Sequence, residues 1–140
     1  MATDPQQPSD PSTPVLRVAP WWDPTLALHG HDPLGDYAET YWTPVLGPAA
    51  IVTLRWANRM FVERSNGFEI RFADFARHVG LGSRRGRNSP AARCIDRLQY
   101  FGLATVRSRL LVRTHVPDLP THLRRRLPAD LRDERSQDQR

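Results

Sequence analysis

The run FADFARHVGLGSRRGRNSPAARCIDRLQYFGLATV, residues 72–106, decides how this chain folds. Its first part places Phe72, Phe75, Ala76 and Val79 at the spacing of one helix face, and Gly80 closes that helix, read as 73–79. Ser89-Pro90 is a second start signal. A serine hydroxyl accepts a hydrogen bond from a free backbone N–H, and the fixed φ of proline suits the first helical position. From there Ala91, Ile95, Leu98 and Phe101 recur at steps of four, three and three, which predicts a helix ending at Gly102. LATV and LLVRTHV are β-prone and joined through Arg107-Ser108-Arg109, so they are read as a hairpin, although the turn lacks Asn-Gly or Asp-Gly.

Upstream, PAAIVTLRWANRMFVER (48–64) puts Ala50, Leu54, Ala57 and Phe61 on one stripe flanked by Ile51, Val52 and Met60, with Arg55, Arg59 and Arg64 mostly elsewhere. This predicts a long amphipathic helix. Ser65-Asn66-Gly67 ends it, and Phe68, Ile70 and Phe72 then alternate with Glu69 and Arg71 as a short strand. In HDPLGDYAETYWTP, Asp32 is a candidate N-cap with Pro33 at the first helical position. Leu34, Tyr37, Ala38, Tyr41 and Trp42 follow at helical spacing until Pro44 stops the run.

Residues 1–20 are rich in Pro, Ser, Asp and Gln and read as a disordered tail, which Trp21 and Trp22 end. Adjacent tryptophans dock on something, and this domain is favoured over a partner. The expected organisation is therefore the tail (1–20), an aromatic extension with a short helix (21–47), a central domain (48–116) and a C-terminal tail (117–140). That last segment reads as two short helices divided at Leu127-Pro128. The fold class expected is mostly α with a small β-hairpin, α+β.

Hydrophobic residues make up 39% of the 140, and the mean hydropathy is −0.56. Both suit one domain with some unpacked chain. All 20 basic residues are arginine, a bias best explained by a GC-rich coding genome. Their placement is more informative. Residues 1–47 carry one arginine against six acids, 48–116 carry thirteen against four, and 117–140 carry six against five. A basic centre of this kind suits a polyanionic partner, although a solvated basic surface has the same composition. The single cysteine, Cys94, excludes an internal disulfide framework. No apolar run approaches the roughly 20 residues that span a bilayer, and no signal-peptide pattern opens the chain, so no membrane partner and a cytoplasmic location are expected.

The order helix, strand, helix, turn, helix, hairpin resembles the winged helix-turn-helix domain of bacterial transcription regulators. That family shows x-x-Leu-Ala-x-x-Leu-Gly-Leu, then Ser, a Leu nine residues on, and Gly-Leu after three more. Phe75, Ala76, Val79, Gly80 and Leu81, then Ser89, Leu98, Gly102 and Leu103, occupy the matching positions. The resemblance covers about 48–116, roughly half the chain. It implies double-stranded DNA as partner, with the third helix in the major groove and Arg107 and Arg109 as wing contacts. It also implies a role in transcriptional regulation or in plasmid and mobile-element control. One departure is SRRGRN (83–88), which lengthens the usual three-to-four-residue turn.

The residues support an anion site without the family. Arg84, Arg85, Arg87, Asn88 and Ser89 lie just upstream of a helix N-terminus, whose free N–H groups and dipole favour phosphate. Gly82 and Gly86 allow close approach, although a plain solvated loop has the same composition. Arg93 and Arg97 share a helix face and can reach guanine edges or phosphates; the competing reading pairs Arg93 with Asp96. Trp21, Trp22, Tyr37, Tyr41, Trp42, Leu119 and Leu123 are candidates for a homodimer interface, or else for completing the monomer core. His29, His31, Asp32 and Asp36 lack metal-ligand spacing, and no nucleophile, phosphate-loop or metalloprotease motif is present. Neither an enzyme nor a cofactor or metal site is expected. The rival function is a winged-helix module that binds protein and no DNA, with Trp21, Trp22 and the acidic segment as its surface.

Overall fold

The computed structural model describes residues 14–82, 84 and 86–132. Strand β1 (Val15–Trp21) leads into helix α1 (Pro24–His29), and a π-helical turn (Ala38–Trp42) runs directly into α2 (Thr43–Leu46). The long α3 (Pro48–Glu63), strand β2 (Phe68–Arg71), α4 (Phe72–His78), α5 (Pro90–Tyr100) and the hairpin β3 (Ala104–Val106) and β4 (Leu110–Arg113) follow. A 3-10 helix, Thr121–Arg126, comes last before a helical turn at 129–132. The result is an α+β fold with one four-stranded sheet ordered β2-β1-β4-β3. From α3 to β4, the elements appear in the expected order.

The assignment of 1–20 to a disordered tail needs correction over its last part. Val15–Trp21 forms β1, which lies inside the sheet. It runs antiparallel to β2, from Val15 opposite Arg71 to Val18 opposite Phe68, and parallel to β4, from Val18 opposite Leu110 to Trp21 opposite Arg113. Val18 and Ala19 are buried. A proline at 20 argues locally against an interior strand, but β2 pairs with β1 only as far as Val18, so Pro20 removes no donor from that ladder. Residues 1–13 lie outside the described residues. Gly67 is what lets β2 approach β1 after α3. Its φ is +105°, and a Cβ there would collide with the Val18 carbonyl and the Ala19 backbone.

The aromatic extension also differs from expectation. Asp32 caps a turn, accepting from the Leu34 N–H at 2.9 Å, and the helical run spans 36–46, crossing Pro44. An α-helix interior cannot hold proline without losing a bond and clashing with the carbonyl four residues back. Here the chain widens to a π turn just before Pro44, which then sits in the first turn of α2.

The core lies between α3, α5, the aromatic extension and the inner face of the sheet. Its largest fully buried side chains include Trp42, Phe75, Leu54, Leu98 and Leu103. Each contributes about 1.5–3 kcal/mol by leaving water. Small residues bring helices close: Ala50 and Ala57 of α3 and Ala91 of α5 are buried. Thr53 Oγ1 lies 3.1 Å from Cys94 Sγ across that contact and donates to the Ala49 carbonyl at 2.9 Å. Asn58 joins α3 to the sheet, with Nδ2 donating to the carbonyls of Leu54 and Arg113, both at 3.0 Å.

Candidate nucleic-acid interface

α5 is positioned by both of its ends. Ser89 accepts from the Ala92 N–H at 3.2 Å, and Pro90 occupies the first turn. At the other end Gln99 Oε1 accepts from the Val106 N–H at 3.1 Å, fixing the helix to the hairpin. Ala91, Cys94, Ile95 and Leu98 are buried, so Arg93, Asp96, Arg97 and Tyr100 form the outward face. Tyr100 is 78% exposed. This face borders a cleft of about 650 Å³ whose other walls are the start of α3 (Gly47 to Ala50) and Leu81 and Pro90 at the ends of the arginine loop.

The structure divides the predicted site residues. Arg84, Arg87 and Asn88 are exposed before α5, and Gly86, with a φ of +105°, turns the chain between them. Arg85 lies outside the described residues. Ser89 is buried and its hydroxyl is engaged as the N-cap, so it is a helix-starting residue and no surface contact. Arg93 is exposed, and among the described residues it forms no ion pair with Asp96. Arg97 does not project freely. Its Nε and Nη2 donate to the carbonyls of Leu46 and Val45, at 2.5 and 2.9 Å, closing the end of α2. Arg107 and Arg109 are exposed at the hairpin tip, where the Arg107 N–H donates to the Arg109 carbonyl at 2.8 Å. A second hollow, about 400 Å³, is lined by both of them together with Ile95 of α5 and Arg17 of β1. The tip therefore flanks α5.

Two other arginines of the basic centre are internal fasteners. Arg55 donates to the carbonyls of Leu34 and Gly35 and pairs with Glu39 at 3.4 Å. Arg113 lies over the Trp21 ring, 3.5 Å from its centroid, and pairs with Asp23 at 3.4 Å. Charge counting along the chain could not separate these from surface arginines, because the carbonyls they cap come from distant segments.

Most of the proposed dimer candidates are spent inside the chain. Tyr41, Trp42, Leu119 and Leu123 are buried, and the Trp42 indole donates to the Pro117 carbonyl at 3.0 Å. Tyr37 is half-buried, accepts from the Leu119 N–H at 2.9 Å and stacks on His31 at 3.7 Å. His31 meets Asp118 at 2.6 Å, so the C-terminal segment is pinned to the aromatic extension. Trp21 is half-buried beneath Arg113, whereas Trp22 is 61% exposed and touches His115 edge-on. These segments complete the core, the alternative that sequence alone left open.

Sequence reasoning missed that the C-terminal segment reaches the end of α5. Phe101, just after α5, has the Arg97 guanidinium 5.3 Å and the Arg126 guanidinium 5.7 Å from its ring centroid. Cys94 is buried; desolvation pushes its thiol up, opposed by the hydrogen bond with Thr53. Among the described residues no group of three metal-ligating side chains forms, and no helix is long and apolar enough to cross a membrane. Comparison with family models, with curated proteins and with solved structures returned no match.

Proposed function

We propose that residues 48–116, with β1 added to the sheet, form a winged helix-turn-helix, and that the chain binds double-stranded DNA. The observation that carries this reading is the outward face of α5. Arg93 stands there without an ion pair among the described residues, next to an exposed arginine loop at the helix start, while the arginine-tipped hairpin borders α5 at Ile95, two positions along and so on nearly the opposite side of the helix. Exposed arginines on three adjoining elements match the spaced negative charge of a duplex backbone. Arg84, Arg87, Arg107 and Arg109 hold phosphates in this reading, and Arg93 reads base edges. A role in transcriptional regulation or in plasmid and mobile-element control follows from the family resemblance.

The test is fluorescence anisotropy of labelled random-sequence duplex, titrated with the full chain at several salt concentrations. Binding in roughly the micromolar range that falls steeply with salt is expected. A second reading, a protein-binding module, draws on a separate observation: Trp22 and Tyr100 are strongly exposed, and the α5 cleft is lined by Leu46, Pro48 and Leu81 as well as by charge. No duplex binding at low salt would favour that reading over the first.

A further inference from the structure

The sequence leaves the three arginines of THLRRR without a role, and the structure places one of them, Arg126, 5.7 Å from the ring centroid of Phe101 at the end of α5. Their 3-10 helix is held from beneath by Leu119, Leu123 and Leu127, which are 2%, 7% and 4% exposed. It is held from the side by the Trp42–Pro117 and Tyr37–Leu119 hydrogen bonds and by the His31–Asp118 pair. Such a segment is part of the domain, so the direction of its side chains is set by the core. Arg125 and Arg126 are exposed, and among the described residues neither forms an ion pair. Arg126 lies on the same Phe101 ring as Arg97 of α5.

We propose that Arg125 and Arg126 form a phosphate-contacting patch at the C-terminal end of α5, separate from the arginine loop at its start and from the hairpin tip. The inference rests on the DNA-binding reading and extends it: the duplex backbone is gripped at both ends of α5. The C-terminal segment then serves the interface directly as well as the core. Arginine suits the role, because its planar guanidinium stacks on an aromatic ring while its N–H groups remain free for phosphate oxygens.

The experiment compares the full chain with Arg125→Gln/Arg126→Gln and Arg125→Lys/Arg126→Lys in anisotropy titrations against random-sequence duplex over a salt series. Thermal melts confirm that each variant is folded. The glutamine variant is expected to bind about three- to tenfold more weakly at low salt, with a salt slope shallower by about 2. The lysine variant is expected to keep the wild-type slope. Wild-type affinity and slope in the glutamine variant would overturn the patch while leaving the DNA reading standing. A lysine variant as weak as the glutamine one would assign the loss to packing on Phe101 and also overturn it. Failure of the wild type to bind duplex at low salt would instead overturn the DNA reading itself.

Discussion

Arg97 of α5 donates from Nε to the carbonyl oxygen of Leu46, 2.5 Å away, and so closes the last turn of α2 with a side chain from a helix far along the sequence. A helix C-terminus carries unpaired carbonyls and partial negative charge, which a guanidinium satisfies in both respects. Arg97→Ala is therefore expected to lower unfolding free energy by about 1–2 kcal/mol. Arg97→Lys should recover little, because one ammonium does not reproduce the two-pronged contact with Leu46 and Val45. Urea unfolding reads this directly, and an unchanged midpoint in Arg97→Ala would remove the capping role.

Asn58 is buried with its amide shared between the Leu54 and Arg113 carbonyls. Asn58→Leu keeps the branching at Cγ but leaves the Arg113 carbonyl at the end of β4 without this donor. The expected loss is about 2 kcal/mol, the desolvation cost of an unsatisfied buried polar group. Equal stability of the variant in denaturant titrations would mean that water replaces the amide.

Strand β1 sits between β2 and β4, so removing it separates the two halves of the sheet. A chain lacking residues 1–20 is expected to lose cooperative unfolding altogether, as judged by a calorimetric or circular-dichroism melt. A sharp transition near the full-length temperature would show that β1 is dispensable.

Arg93 and the loop arginines are expected to act differently on DNA binding. Arg84→Ala/Arg87→Ala should weaken binding to all sequences and shallow the salt slope by about 2, as loss of two phosphate contacts does. Arg93→Ala should change which sequences are preferred in a selection from random duplexes, at a cost of about 1–3 kcal/mol at the affected base pair. A uniform loss with unchanged preference would reassign Arg93 to the backbone.

Cys94 is buried beside Thr53, and desolvation raises its pKa, which keeps the thiol protonated. The folded protein is expected to resist alkylation at neutral pH and to react rapidly once unfolded. With the folded pKa raised, the thiol's contribution to stability is fully present below the unfolded value of about 8.5 and is lost as pH rises through the folded one. Stability should thus fall with alkalinity more steeply in the wild type than in Cys94→Ala. Matching pH curves for the two would remove that linkage.

Local chemistry made much of this protein legible. The apolar spacing of 48–64 and 89–101, the Ser89-Pro90 start and the break at Gly102 each act within a few residues, so helices α3 and α5 and the strand after α3 could be read directly. The basic centre and the exposed Arg84, Arg87 and Arg93 were visible for the same reason.

Three features required tertiary structure. Val15–Trp21 is a strand because β2 and β4 flank it, partners about 50 and 90 residues away that a proline-rich stretch gives no hint of. Arg97 and Arg113 are fasteners because distant carbonyls and the Trp21 ring meet them, whereas by composition they look like surface charge. The leucines of the C-terminal segment face inward and carry Arg126 to the Phe101 ring at the end of α5, which no pattern within that segment could specify. Periodicity reports which face of an element is apolar; only packing determines what that face is buried against.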